Sequence, residues 1–221
     1  MIDKQRRILF VHIPKTGGTA ITKALGGDKR ARSHLTLRHY TPTTPSQAWR
    51  HAAQSGSGLG EVLAILGRRY SEFIFRPQTS GLINERFFVF SVVRNPWARM
   101  VSWYNDTMRN TKRRRRLGVA PGTSFAGFLE QFDGLWQMRP QLHWLVDWND
   151  EIGVHEILFT ETLHQQWPAL AARLGLDLGP LPKVNTAPED YDWQYYYDAT
   201  TRQLVHDRYR KEIDYFGYTF A

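Results

Sequence analysis

Hydrophobic and polar positions along the chain predict strands that are each followed by a helix. Ile8–His12 is a short apolar run that ends at Pro14, and Thr19–Leu25 has helical composition and stops at Gly26. Phe87–Val93 is almost continuous in β-branched and aromatic residues, which is typical of a strand buried on both faces of a parallel sheet. The pattern therefore predicts a strand, loop and helix early in the chain and a second buried strand later.

Helix caps and apolar spacing predict further elements in the second half of the chain. Asn95 is a suitable N-cap and is followed by proline, so we expect a helix over residues 96–108. Val154–Phe159 is typical of another buried strand, and a helix should follow over residues 160–174. Asp198 is expected to cap the last helix. Three more helices are predicted at Pro45–Gln54, Leu59–Tyr70 and Ser124–Phe132.

This order of elements indicates an α/β fold, with an open parallel sheet that is flanked by helices and binds ligands at its carboxyl edge. A length of 221 residues favours a single domain over residues 1–221. Two stretches are predicted to be loops. Residues 28–45 are polar, and residues 109–118, RNTKRRRRLG, have no apolar face and are expected to form a solvated, mobile loop.

Charge and composition narrow the classes of partner and chemistry. The 29 Lys and Arg residues against 21 Asp and Glu give a formal charge of +8, which favours an anionic partner without choosing among nucleotide, nucleic acid, polysaccharide and membrane. The absence of cysteine excludes disulfides, thiolate metal sites and a cysteine nucleophile. No apolar run suits a signal peptide or a membrane-spanning helix, so we expect a cytoplasmic protein.

The loop after the first strand, PKTGGT, has the composition of an anion-binding loop. Lys15 supplies a charge, Thr16 and Thr19 supply hydroxyl donors, and Gly17 and Gly18 let an anion approach the backbone at a helix N-terminus. The lysine precedes the glycines, whereas a nucleotide P-loop requires the order Gly-Lys-Ser/Thr. No later strand ends in the Asp that holds Mg²⁺ near such a lysine. The loop therefore predicts a phosphate-type anion and chemistry without a metal.

A second basic segment follows the strand that ends at Val93. Arg94 lies at its carboxyl end, where a guanidinium can bind a phosphate through two hydrogen bonds, and Ser102 lies eight residues further on the predicted helix. Arg99 and Ser102 are three residues apart and share a helix face. Each residue alone is compatible with an ordinary surface role. Together with the lysine loop they predict a second phosphate site.

PKTGGT together with RNPWARMVSWY resembles the sulfotransferases that use 3′-phosphoadenosine 5′-phosphosulfate (PAPS), in their carbohydrate branch and of bacterial type. Later segments, including ILFTETL and LPKVN, extend the resemblance over most of the chain, and residues 30–84 match least. The resemblance implies a sheet related to that of nucleotide kinases. It also implies that residues 30–84 and 109–150 form acceptor-site insertions and lids, and that the partners are a nucleotide and a hydroxylated glycan rather than nucleic acid.

The resemblance also implies roles for individual residues. Lys15, Thr16, Gly17, Gly18 and Thr19 would hold the 5′-phosphosulfate, Lys15 would stabilise the leaving group, and Arg94 with Ser102 would hold the 3′-phosphate. A histidine from the segment after the first helix would take the proton of the acceptor hydroxyl during in-line transfer. Two histidines fit, since His34 and His39 are each followed two residues later by threonine, and the pattern does not choose between them. We take His39 as the first candidate and His34 as the second.

Other functions remain open from the sequence. An ATP-dependent kinase of related fold would need Mg²⁺, and a non-enzymatic polyanion-binding protein would use the positive charge alone. Three tryptophans, Trp144, Trp148 and Trp193, could stack on sugar rings, although core packing is the favoured interpretation. The basic run 112–116 could attract an acidic glycan.

Overall fold

The computed structural model describes residues 1–27, 34–54, 58–75, 82–131, 135–184 and 192–220. The strands are β1 Ile2–Asp3, β2 Ile8–Val11, β3 Phe88–Val93 and β4 Glu156–Phe159. The helices are α1 Gly18–Ala24, α2 Pro45–Gln54, α3 Gly58–Phe75, α4 Pro96–Arg109, α5 Thr111–Arg116, α6 Phe125–Gln131, α7 Leu142–Leu145, α8 Leu163–Arg173 and α9 Ala199–Phe216. Short 3₁₀ turns lie at Leu37–His39, Trp136–Met138, Thr160–Thr162 and Trp193–Tyr196.

The strands form a mostly parallel sheet in the order β1-β2-β3-β4. β2 pairs in parallel with β3, Val11 opposite Ser91, and β3 pairs in parallel with β4, Val93 opposite Phe159. β1 lies at one edge and is antiparallel to β2. The α/β prediction is confirmed. The antiparallel edge strand was not predicted, because two residues are too few to show a hydrophobic pattern.

The chain forms two compact units. The first consists of Met1–Ile13, Gly17–Val93 and Gln141–Pro182, and the second of Pro14–Thr16, Arg94–Pro140 and Lys183–Ala221. The sheet belongs to the first unit. The predicted single functional domain over residues 1–221, with acceptor-site insertions at 30–84 and 109–150, stays a prediction.

The core of the first unit is built on the two central strands. Phe10 of β2 stacks on Phe90 of β3 with 5.1 Å between ring centroids, and Ile21 of α1 and Trp167 of α8 belong to the same buried cluster. Burying each of these side chains contributes about 1.5–3 kcal/mol. The residues of β2 are all buried, and only Phe88 of β3 is partly exposed, as the continuous apolar runs predicted.

The core of the second unit joins α4, α6 and α9. Trp97 and Met100 of α4 belong to one buried cluster with Phe128 of α6 and Tyr209 of α9. The side chain of Asn95 accepts hydrogen bonds from the backbone N–H groups of the next two non-proline residues, so the predicted cap of α4 is confirmed. The cap of α9 is also confirmed, since the side chain of Asp198 accepts from the backbone of Thr201.

The prediction of a loop over residues 109–118 was wrong. Residues 111–116 form the helix α5, and the Asn110 side chain caps it by accepting a hydrogen bond of 2.9 Å from the backbone N–H of Arg113. A capping asparagine followed by residues of high helix propensity forms one and a half turns without an apolar face. The solvated part of the prediction holds for Lys112, Arg115 and Arg116, which are exposed.

Other boundaries differ by a few residues from the predicted ones. The helix expected from Thr160 begins as a 3₁₀ turn and becomes α8 at Leu163, and α3 continues beyond Tyr70 to Phe75. The predicted loop over 28–45 contains the 3₁₀ turn at Leu37–His39, while its residues 28–33 lie outside the described ranges, as do Phe132 and Asn185. Among the described helices, none has both the length and the hydropathy needed to cross a membrane.

Candidate active site

The backbone of the lysine loop adopts an uncommon conformation. Lys15 has a φ of 71° and Gly17 a φ of 82°. A left-handed conformation at a residue other than glycine costs on the order of 1 kcal/mol or more and is concentrated at functional sites. Gly17 is the N-cap of α1 and has no side chain that could accept a hydrogen bond. It therefore does not compete with a ligand for the first amide groups of the helix. Thr16 is buried, and Thr19 is half-buried in the first turn of α1.

In the first unit, Gly18 lies against His12, whose ring is close to that of His34. A Cβ atom on Gly18 would come within 2.1 Å of the His12 ring, so only glycine fits there. His12 stacks on Phe10, and its ring centroid lies 4.4 Å from that of His34. His34 is half-buried, and its Nδ1 lies 3.2 Å from the carbonyl oxygen of His12. His34 and Gly18 therefore both lie next to the His12 ring.

His39 lies in a different environment within the same unit. It is 2% exposed, and its Nδ1 accepts a hydrogen bond of 3.1 Å from the backbone N–H of Thr36 and lies 2.9 Å from the Thr36 hydroxyl. Burial, together with the charges of Arg68 and Arg69, lowers the pKa of His39 from 6.5 to about 3. His39 is therefore neutral near pH 7 and closes the 3₁₀ turn at Leu37–His39.

Replacing His39 should make the stability of the protein less sensitive to acid. An unfolded histidine has a pKa near 6.5, whereas folded His39 has one of about 3. Between these values the unfolded state binds one more proton, so the free energy of unfolding falls by up to about 1.4 kcal/mol per pH unit as the pH decreases. His39→Asn should remove this contribution, while it lowers stability at pH 7 through the lost turn contacts. Urea unfolding from pH 7 to pH 4 measures both effects.

The exposed His164 offers a matched control for this measurement. His164→Asn makes the same substitution at an exposed position, so a comparison of the two variants isolates the effect of replacing a buried histidine. A His39→Asn variant with the same slope as the wild type would contradict the buried, neutral state of His39.

In the second unit, Lys15 forms a partly buried ion pair with Asp106. The Lys15 Nζ donates to Asp106 Oδ2 at 2.8 Å, and the two side chains are 22% and 29% exposed. Burial lowers the pKa of Lys15, and the hydrogen bond and charge of Asp106 partly oppose that shift. The same carboxylate oxygen also accepts a hydrogen bond from Arg113 of α5. Sequence reasoning missed Asp106 and Arg113, because no motif marks either residue.

Arg94 lies close to the same lysine. Its Nη1 donates to the carbonyl oxygen of Lys15 at 3.4 Å, although 79 residues separate the two in sequence. Ser102 is half-buried on α4. The structure therefore brings Lys15 and Arg94 together within the second unit. Roles in ligand binding for all the predicted site residues stay predictions.

Arg99 supports the loop instead of facing a ligand. It is fully buried, and its guanidinium donates to three carbonyl oxygens, those of Pro14 at 3.1 Å, Arg139 at 3.1 Å and Gln137 at 2.9 Å. Pro14 directly precedes Lys15, so Arg99 fixes the backbone from which the lysine side chain begins. Its spacing to Ser102 suggested a shared phosphate-binding face, but its hydrogen bonds go to the protein backbone.

The tryptophans considered for sugar stacking belong mainly to the cores. Trp144 is fully buried, and Trp148 is 2% exposed with its indole N–H donating to the carbonyl oxygen of Arg38 at 3.1 Å. Trp193 is half-buried and packs edge-on against Phe220 with 5.1 Å between ring centroids. The favoured interpretation as core residues is confirmed for Trp144 and Trp148.

Comparisons with known proteins show the family and include a similar solved structure. Residues 1–219 match the model described as the sulfotransferase family. No curated protein matches the sequence. Among solved structures, the chain is similar to mouse sulfotransferase SULT7A1 complexed with PAP, at 14% sequence identity and a TM-score of 0.49, over 96% of this chain and 86% of that chain.

Proposed function

Because the chain belongs to the sulfotransferase family, we propose that it transfers a sulfuryl group from PAPS to a hydroxyl group of a carbohydrate. One contact carries the proposal. Arg94 Nη1 donates to the carbonyl oxygen of Lys15, so the residues that begin the two basic segments lie side by side. A ligand with two separate phosphate-type groups suits two such segments, and PAPS has a 5′-phosphosulfate and a 3′-phosphate.

Each basic segment has a proposed role in binding the donor. Lys15, Thr16, Gly17, Gly18 and Thr19 hold the 5′-phosphosulfate through the lysine charge, the hydroxyls and the backbone amides. In the other segment, Arg94 and Ser102 hold the 3′-phosphate by charge-assisted hydrogen bonds. The left-handed backbone at Lys15 supports this assignment, since backbone strain is concentrated where a ligand is held.

Lys15 also has a proposed role in the chemical step. The acceptor oxygen attacks the sulfur in line, the bond between sulfur and the bridging oxygen breaks, and 3′-phosphoadenosine 5′-phosphate (PAP) leaves. Negative charge grows on the bridging oxygen, and the Lys15 ammonium stabilises it. Once the donor is bound, the ammonium group lies at this oxygen before the bond breaks, so its charge acts without reorganisation at the moment of reaction.

A histidine takes the proton of the acceptor hydroxyl, and we assign this role to His34. His34 is half-buried beside His12, whose ring fills the space next to Gly18 of the phosphosulfate loop. His39 was the first candidate from the sequence, but its Nδ1 is occupied by Thr36 and its pKa of about 3 makes it a poor base. The carbohydrate acceptor and a cytoplasmic location stay predictions from the sequence resemblance and composition.

Ligand binding tests the donor. PAP at a hundred times its dissociation constant should stabilise the fold by about 2.7 kcal/mol, which a thermal-shift titration detects as a higher Tm. Adenosine 5′-monophosphate should stabilise it much less, because it lacks the 3′-phosphate. An equal response to ATP with Mg²⁺ would favour the kinase, and a response to heparin alone would favour the polyanion-binding protein.

Arg94→Ala should remove the preference for the 3′-phosphate. A charge-assisted hydrogen bond contributes about 1.5–3 kcal/mol, so PAP affinity should fall about ten- to a hundredfold, while affinity for adenosine 5′-monophosphate changes little. The exposed Arg86 provides a control, since Arg86→Ala removes the same charge outside both basic segments. Unchanged PAP affinity in Arg94→Ala would reject the assignment of the 3′-phosphate site.

A further inference from the structure

Asp106 is shared by two cationic groups in the second unit. Its Oδ2 atom accepts from Lys15 Nζ at 2.8 Å and from Nη1 of Arg113. Both cations also lie over the ring of Trp103, Lys15 at 5.9 Å and Arg113 at 5.7 Å from its centroid. Because they bind one oxygen atom, the two cations lie within two hydrogen-bond lengths of each other.

The shared carboxylate competes with the donor for Lys15. While the ammonium group is bound to Asp106, its attraction for an incoming phosphosulfate is partly cancelled by the carboxylate. Donor binding therefore has to weaken that ion pair. Removing one partner from a buried ion pair is costly when the other charge is left alone. Arg113 avoids this cost, because it stays on Asp106 when Lys15 moves to the donor.

We propose that Asp106 is a positioning residue that holds Lys15 while no donor is bound, and that Arg113 neutralises Asp106 when Lys15 turns to the 5′-phosphosulfate. The inference rests on the proposed function, since it assumes that Lys15 binds the donor. It gives the basic run a specific purpose. The Asn110 cap starts α5 so that Arg113, one of its five consecutive basic residues, reaches Asp106.

Single substitutions should change donor affinity in opposite directions. Asp106→Asn frees Lys15 and should lower the dissociation constant of PAP about fivefold at pH 7, as expected for a partly exposed ion pair. Arg113→Gln leaves Lys15 as the one cationic partner of Asp106 among the described residues, and should raise that constant by a similar factor. Isothermal titration calorimetry with PAP measures both.

A double-mutant cycle separates this competition from simple charge effects. If Arg113 acts through Asp106, Arg113→Gln should have almost no effect in a protein that already carries Asp106→Asn. Long-range attraction alone would make the two effects additive. Arg115→Gln removes the same charge from an exposed position of α5 and should change PAP affinity much less than Arg113→Gln. Asp106→Glu keeps the carboxylate, so its affinity for PAP should be close to that of the wild type.

The pH dependence of PAP binding distinguishes the proposed role of Asp106 from a purely structural role, which would leave that pH dependence unchanged. Burial lowers the pKa of Lys15, and among the described residues the charges of Arg113 and Arg94 lower it further while Asp106 raises it. Removing Asp106 therefore lowers the pKa of Lys15. The loss of PAP affinity at high pH should therefore begin at a lower pH in Asp106→Asn than in the wild type.

The outcomes separate this inference from the proposed function. A wild type that does not bind PAP would reject the proposed function and the inference with it. A wild type that binds PAP, with additive effects in the cycle or with weaker PAP binding in Asp106→Asn, would reject only the role of Asp106. Circular dichroism and Tm values of the free variants establish that each is folded before its affinity is compared.

Discussion

Lys15→Met should lower the kcat of sulfuryl transfer by about two to three orders of magnitude, the loss observed when one stabilising group is removed from a developing oxyanion. Methionine keeps an unbranched apolar stem beside the Trp103 ring, but it carries no charge for the bridging oxygen. The fold should be retained, because Asp106 keeps Arg113 as a partner. Release of PAP from PAPS, measured with an acceptor that the wild type uses, gives the rate.

Measuring kcat and KM separately distinguishes the role of Lys15 from simple donor binding. A group that acts mainly in the transition state changes kcat, whereas one that binds donor and transition state equally changes KM alone. Lys23 lies exposed on the same helix that follows the loop and provides the control, since Lys23→Met should keep both constants. If Lys15→Met raised only the KM for PAPS, the assignment to the bridging oxygen would be wrong.

The parts of the fold that could be predicted are those that local sequence determines. β3 is buried in the sheet from Val89 to Val93, and its nearly continuous run of apolar residues carries that information without any knowledge of the partners. The cap at Asn95 is equally local, since donor and acceptor are two and three residues apart. β1 was missed because its two residues form a strand only through pairing with β2.

The convergence of the two basic segments could also be predicted, because the carboxyl ends of neighbouring parallel strands meet at one edge. The partners of individual side chains could not. Lys15 meets Asp106 across 91 residues, and Arg99 meets Pro14 across 85. Nothing near Asp106 or Arg99 in sequence specifies those contacts. They depend on how α4 and the loop lie within the second unit, which is a property of the folded chain.

The two candidate histidines illustrate the same limit. His34 and His39 are each followed two residues later by threonine, so the sequence treats them alike. Their environments differ, because Thr36 occupies the ring nitrogen of His39, while His34 lies half-buried against His12. Burial and hydrogen bonding distinguish a base from a structural residue, and neither can be obtained from the pattern.

His34→Ala should lower kcat by about two to four orders of magnitude, the range for loss of a general base, with little change in PAP affinity. The ring of His34 contacts His12, which lies next to the loop, so we expect donor binding to persist. Single-turnover kinetics with PAPS and acceptor, together with PAP titration, separate the two quantities.

His39→Ala is the matched comparison, and it should lower the stability of the protein while leaving turnover nearly unchanged. The variant loses the turn contacts with Thr36 and leaves a cavity at a position only 2% exposed, so the free energy of unfolding should fall by about 2 kcal/mol or more. Turnover of the protein that remains folded should stay near the wild-type value.

Added imidazole should partly restore the activity of His34→Ala, since a small base can enter the space left by the ring. A large loss of turnover in folded His39→Ala, with His34→Ala active, would transfer the role of base to His39.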